Sequence, residues 1–156
     1  GIRGESRESQ IPAFCEMLSI PYVGAGIMAN AIGLDKPTTK MILEYHGLKT
    51  APFQVLETID EPLHASLTYP LILKPSHEGS SIGINWDNVV NDENALRTKL
   101  AEMLETYKQP ILVEKFIDGR EFSVGLVGNH NVEYNRLGTV FFCDFPDLIN
   151  LLCLLV

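Results

Sequence analysis

Cysteine, basic residues and long apolar runs are all scarce in this sequence. The three cysteines, Cys15, Cys143 and Cys153, are odd in number and have no metal-type spacing. This argues against a disulfide scaffold or a zinc module and favours a reducing compartment. The sequence has only 12 basic residues and 20 acidic ones, which gives a formal net charge of −8. No diffuse positive field for nucleic acid is therefore expected, and any phosphate site must be local.

The longest apolar run is too short to cross a membrane. It covers residues 148–156, is interrupted by Asn150 and is less than half of the ~20 residues that a spanning helix needs. We expect no membrane anchor. No secretory signal opens the chain, and because it begins with Gly1 rather than methionine we expect it to start within a longer protein. Its 156 residues allow one ordinary core or two small lobes.

Several catalytic signatures are also missing. No Gly-x-Ser-x-Gly turn marks a hydrolase serine, and no Gly-Lys-Ser/Thr sequence completes a Walker loop. The histidines show neither an HExxH pattern nor paired spacing, so no metal ligands are predicted among them. They are His46, His64, His77 and His130.

Helical periodicity and capping residues predict the helices. They cover residues 7–18, residues 27–32, the stretch between Asp35 and Gly47, and residues 92–107. Asp35 and Asp92 are candidate N-caps, and Pro37 suits a first turn. In the first helix, Ile11, Phe14, Cys15 and Leu18 recur every three or four positions, which predicts a buried face packed on a sheet.

Apolar and β-branched runs between turn signals predict the strands. They cover residues 20–23, 52–56, 71–74, 111–117 and 121–127. The last two are joined at Asp118-Gly119, a dipeptide suited to a tight hairpin. Helices and strands alternate first and an antiparallel pair follows, so the predicted class is mixed α+β.

Lys74 precedes a glycine- and serine-rich segment at residues 78–83, Glu-Gly-Ser-Ser-Ile-Gly. Small residues let backbone N–H groups approach an anion, hydroxyls add donors and the lysine adds a charge, which predicts a phosphate-binding loop. The alternative is a Gly/Ser hairpin beside a solvated lysine. Because Lys74 ends a predicted strand, we expect its charged head near solvent.

Two further groups of residues are weaker candidates. Lys36 lies at a helix start, where the helix dipole disfavours an amine, so it either has a partner elsewhere or is simply exposed. Residues 114–117 end one strand and Glu121 begins the next. Such a strand edge can hold an adenine beside a ribose-binding carboxylate, and the alternative is a hairpin with ordinary flanking charges.

Six short sequence blocks occur together in an order typical of one protein family. They are Gly4-Glu5, Ile20-Pro21-Tyr22-Val23-Gly24, Leu34-Asp35-Lys36, Leu73-Lys74-Pro75, residues 78–83, and residues 112–122 with the sequence LVEKFIDGREF. In order and separation they resemble the D-alanine:D-alanine ligases of the ATP-grasp superfamily, over about residues 1–128. The resemblance implies an ATP-grasp-like α+β fold. Residues 1–34 would be the remnant of an N-terminal substrate domain, 35–136 the nucleotide-binding region and 137–156 a divergent apolar tail.

The resemblance also implies an activity and a set of site residues. The family uses ATP and Mg²⁺ to join two D-alanines through an acylphosphate for peptidoglycan precursor synthesis, and full-length relatives are expected to be homodimers. By resemblance, Lys36 and Lys74 contact ATP phosphates, Ser80 and Ser81 lie in a flexible loop over phosphates and substrate, and Glu5 helps shape the substrate side. The implied nucleotide contacts are Glu114, Lys115 and Ile117 at the adenine and Glu121 at the ribose.

The sequence departs from the family pattern near both ends. Family members usually have a His-Gly pair before the block that contains Glu5, whereas residues 1–4 here are Gly-Ile-Arg-Gly. After Gly128, nothing matches the family's γ-phosphate arginine or the two acidic residues and one asparagine that bind its magnesium ions. No metal ligand is therefore assigned, and we expect this chain alone to be inactive. The alternatives are a non-catalytic ATP-binding module and another ATP-grasp amino-acid ligase.

Overall fold

The computed structural model of the protein describes residues 3–119. These residues fall into two compact units, the first ending at Gly33 and also including Gly119, the second spanning Leu34–Asp118. The predicted strand over residues 121–127, Glu121 and the apolar tail lie outside the described residues. The three-part division of the chain at residues 34 and 136 stays a prediction.

The first unit is helical. A 3-10 helix, Arg7–Ser9, leads into α1, Gln10–Met17, and α2 covers Ile27–Leu34, so both predicted helices are confirmed. The strand predicted over residues 20–23 is wrong. The chain turns back on the end of α1 instead, because Ser19 adopts a φ of +56° and the Ile20 amide donates to the Cys15 carbonyl at 2.8 Å.

The apolar face of α1 is largely exposed, contrary to the prediction that it is buried against a sheet. Ile11, Phe14 and Leu18 are 53%, 60% and 53% exposed. Cys15, predicted to be a core residue, is only partly buried. The three-and-four spacing correctly indicated a helix, but spacing alone does not supply a packing partner.

The second unit combines helices with an antiparallel sheet. Its described elements are α3 (Lys36–Tyr45), β1 (Phe53–Leu56), β2 (Leu71–Pro75), a 3-10 helix (Trp86–Asn88), β3 (Val89–Val90), α4 (Glu93–Tyr107) and β4 (Ile111–Lys115). The strand order is β1-β4-β2-β3, and neighbouring strands run antiparallel. The helices and the strands predicted within this unit are confirmed, except that the strand predicted over residues 111–117 ends at Lys115. β3 is an addition that the sequence did not predict.

Aspartate caps start α3 and α4 of the second unit, as predicted. An Asp35 carboxylate oxygen accepts from the Thr38 amide and an Asp92 oxygen accepts from the Ala95 amide, each at 2.9 Å. These bonds satisfy amides that have no partner within the helix. The Asp35 cap fixes where α3 begins, and therefore where Lys36 lies.

The apolar stripe of α4 packs on one face of the sheet. Leu96 and Leu100 are fully buried at 0% exposure, in one cluster with residues that include Leu71, Leu73 and Val113. Successive strand residues point to opposite faces, so Ile72, Lys74, Leu112 and Glu114 lie on the other face. The β2–β4 register pairs Ile72 with Glu114 and Lys74 with Leu112.

Candidate functional site

The glycine- and serine-rich segment connects β2 to β3 and is tied to the sheet by Asn88. The Asn88 side-chain amide is buried and donates to the carbonyls of Leu73 and Gly83 at 2.9 and 2.8 Å. Gly83 has a φ of +73°, and a Cβ there would come within 2.6 Å of the Tyr107 hydroxyl and 2.7 Å of Pro75. Only glycine fits this conformation and this close approach. The end of the loop is therefore rigidly placed.

Ser80 and Ser81 form the tip of this loop. Their φ values are +52° and +59°, a left-handed conformation that non-glycine residues adopt rarely. Ser80 is exposed and Ser81 is half-buried. The Ile82 amide donates to the Gly79 carbonyl at 3.0 Å, and the Ile84 amide to the Ser81 carbonyl at 3.1 Å, which holds the tip in turns. Strained backbone of this kind clusters at ligand clamps.

Lys74 lies at the root of the loop, in a buried ion pair. Its ammonium is 2.7 Å from Glu114 Oε1, and the two side chains are 6% and 10% exposed. The predicted exposure of the charged head is therefore wrong, because β2 is a central strand whose neighbour β4 places Glu114 beside it. The loop joins antiparallel strands, as the hairpin alternative requires, but that alternative's solvated lysine is not found.

A second lysine completes this charged cluster. Lys40 on α3 lies 2.6 Å from Glu114 Oε2 and is 12% exposed, so each carboxylate oxygen has its own ammonium. The sequence reasoning missed Lys40. The four-residue spacing between Lys36 and Lys40 could have indicated it, because residues four apart lie on the same face of a helix.

The two ammonium groups set the ionisation of Glu114. Burial alone raises the pKa of a carboxyl group, but the charges of Lys74 and Lys40 outweigh burial and hold the pKa of Glu114 below its ordinary value. The carboxylate is therefore ionised at neutral pH. Its contribution to stability is present above the unfolded-state pKa and is lost as the pH falls through the folded-state pKa.

Lys36 is anchored to the loop from the start of α3. Its ammonium donates to the Pro75 carbonyl at 2.9 Å and to the Glu78 carbonyl, and its backbone amide donates to the Ser76 carbonyl at 3.1 Å. The hypothesis that this helix-start lysine has a partner elsewhere is confirmed. Lys36 and Lys74 thus both lie against the beginning of the loop.

The other predicted site residues are less closely grouped. Lys115 directs its ammonium to the carbonyls of Thr68 and Tyr69 at 3.0 and 2.8 Å, on the sheet face opposite Glu114. Ile117 is 55% exposed just after β4. Glu5 is exposed in a turn of the first unit, and Glu121 lies outside the described residues.

Neither a metal cluster nor a membrane span occurs between residues 3 and 119. No group of three His, Cys, Asp or Glu side chains in this range is arranged to hold a metal ion. No helix there has both the length and the apolarity to cross a membrane.

Comparison with known proteins places this chain in a family. The family model described as the D-ala D-ala ligase C-terminus matches residues 41–145. The chain belongs to this ligase family. It is 39% identical over 120 residues to a D-alanine–D-alanine ligase of Citrifermentans bemidjiense, a match that covers 77% of this chain and 38% of that protein. The ligase of Ruminiclostridium cellulolyticum is 36% identical over 157 residues, covering 94% of this chain and 40% of that protein.

The structural comparison agrees with the sequence comparison. The D-alanine–D-alanine ligase of Helicobacter pylori superposes with a TM-score of 0.65 at 26% identity, covering 87% of this chain and 45% of that one. The resemblance and the ATP-grasp α+β fold predicted from the sequence are thereby confirmed. The chain spans about two fifths of the length of the curated relatives it matches.

Proposed function

We propose that this chain is the nucleotide-binding part of an ATP-dependent ligase that joins two D-alanines. The observation that carries the proposal is the Lys74–Glu114 pair at the root of the glycine- and serine-rich loop, with Lys36 bound to the same loop. Ammonium groups beside small residues and exposed hydroxyls suit a polyphosphate, which a protein binds mainly by charge and position.

The proposed roles of the site residues are those that the resemblance implies. Lys36 and Lys74 act on the ATP phosphates, and Ser80 and Ser81 act over the phosphates and the substrate. Glu114, Lys115 and Ile117 line the adenine, with Glu121 at the ribose and Glu5 on the substrate side. Two aromatic rings near the end of β4 support the adenine assignment, because aromatic rings suit the flat face of a base. The ring centres of Phe116 and the half-exposed Trp86 lie 6.1 Å apart.

The proposed reaction is carboxylate activation followed by amine attack. The first D-alanine carboxylate takes the γ-phosphoryl group of ATP and ADP leaves, and the amine of the second D-alanine then displaces phosphate from the acylphosphate. The chain's own side chains would hold the reactants in line and neutralise charge. Mg²⁺ supplies further charge neutralisation in this proposal, but residues 3–119 offer no cluster that fits it. We further propose a cytoplasmic, homodimeric whole protein acting in peptidoglycan precursor synthesis.

Calorimetric titration with ATP and with GTP tests the nucleotide assignment. We expect binding of ATP and a weaker or absent response to GTP, because the proposed base contacts are specific to adenine. Equal heats, or none, would remove the adenine assignment. Adding D-alanine and Mg²⁺ and assaying ADP and dipeptide tests the expectation that this chain alone is inactive, because formation of both products would show a complete ligase.

A further inference from the structure

Lys40 has no role in the function proposed above, yet two neighbours fix it in place. It lies one helical turn beyond Lys36 in α3, and its ammonium contacts Glu114 Oε2 at 2.6 Å. The same ammonium lies 5.0 Å from the centre of the Phe53 ring, an arrangement that attracts a cation. Phe53 stands directly opposite Glu114 in the β1–β4 register. The side chain is therefore anchored to the sheet rather than to the loop.

The cluster contains more positive charge than Glu114 requires. One ammonium neutralises a carboxylate, whereas Glu114 has Lys74 on one oxygen and Lys40 on the other. Either ammonium alone therefore leaves Glu114 with an ion-pair partner.

The positions of the two lysines suggest which one can change partner. Lys74 is the last residue but one of β2, and the loop begins directly after Pro75. If Lys74 were the only partner of Glu114, moving its ammonium to a phosphate would leave a buried carboxylate unpaired, which weakens binding. With Lys40 in place, Glu114 keeps one ion pair throughout.

We propose that Lys40 is a positioning residue that keeps Glu114 paired and in place while the ammonium of Lys74 exchanges this carboxylate for a phosphate. The inference rests on the proposed phosphate role of Lys74 but requires only a polyphosphate, with or without a base. In this arrangement Lys40 stays on Glu114 and makes no contact with phosphate.

Titration of the 156-residue chain with inorganic tripolyphosphate at fixed ionic strength tests the exchange. Lys40→Met weakens binding about tenfold, because release of Lys74 then strands a buried charge. Adding Glu114→Gln to Lys40→Met recovers most of this loss, because a neutral amide needs no cation. Tripolyphosphate has no base, so a contact between Glu114 and adenine does not affect the result.

Two variants serve as controls. Lys40→Arg keeps the cation and stays within about threefold of the wild-type affinity, the difference reflecting guanidinium geometry. Lys108→Met removes an ion pair of similar length, 2.6 Å from Glu105, whose side chains are 67% and 82% exposed. It leaves the affinity unchanged, which shows that a generic loss of one positive charge is not the cause.

Several results would overturn the inference. A further loss of affinity in the double variant would make Lys40 a direct phosphate ligand or a structural residue. Failure of Lys40→Met to fold, seen by circular dichroism, would make it structural, and absence of tripolyphosphate binding by the wild type would remove the exchange itself. If the wild type binds tripolyphosphate as well as ATP, the adenine proposal fails while the inference about Lys40 stands.

Discussion

The two faces of the sheet in the second unit differ in chemistry although they share the same strands. β2 directs Leu71 and Leu73 into the core beneath α4, both at 0% exposure, and places Lys74 on the opposite face. β4 likewise directs Val113 into the core and places Glu114 on the opposite face. Because strand residues alternate, each charged residue is fixed by apolar neighbours one position away. The core thus holds the backbones that bring Lys74 and Glu114 together.

Leu100→Ala is expected to have the largest effect and to act on the core alone. Leu100 is fully buried beneath the sheet, so its truncation costs about 2–5 kcal/mol of the free energy of unfolding. Urea unfolding measures this loss, and ATP titration of the folded fraction should give an unchanged affinity. Leu104→Ala, at a half-buried position of the same helix, costs less. A lower ATP affinity in folded Leu100→Ala would show that the core side also shapes the site.

Lys74→Met is expected to affect both stability and binding. It removes one of two ion pairs to a buried carboxylate, which costs about 1–3 kcal/mol of the free energy of unfolding because Lys40 still compensates Glu114. Apparent ATP affinity falls as well, since the proposed phosphate ligand is gone. Urea unfolding and ATP titration measure the two effects. Unchanged ATP binding would make Lys74 a structural residue and would separate the charged cluster from nucleotide chemistry.

Local features of the second unit could be predicted from the sequence because neighbouring residues determine them. The Asp35 and Asp92 caps and the Leu96 and Leu100 stripe each depend on residues within a few positions of one another. Lys74 and the loop were likewise recognisable from adjacent residues. The resemblance to ligases then predicted that Lys74 and the loop act on the ATP phosphates.

Contacts between distant segments could not be predicted in the same way. The pairing of Lys74 with Glu114 joins positions 40 residues apart and depends on the β2–β4 register. Lys40 reaches the same carboxylate only because α3 lies against that face of the sheet. In the first unit, the periodicity of α1 indicated the helix but not the exposure of Phe14. Burial and charge pairing are therefore properties of the assembled sheet rather than of any single segment.

The two aspartate caps provide the smallest and most direct test of the difference between the faces. Asp35→Ala and Asp92→Ala each remove a hydrogen bond of 2.9 Å to a helix-start amide, and Asp35→Ala also removes a 3.5 Å contact with the His77 ring. Loss of the cap costs about 1 kcal/mol of the free energy of unfolding in each variant. Only Asp35→Ala should also weaken ATP binding, because α3 carries Lys36 and Lys40 whereas α4 covers the apolar face. Urea unfolding and ATP titration of both variants measure the two effects. Asp35→Asn retains a capping oxygen and should restore both properties. Equal ATP affinities for the two alanine variants would show that the start of α3 does not position the lysines.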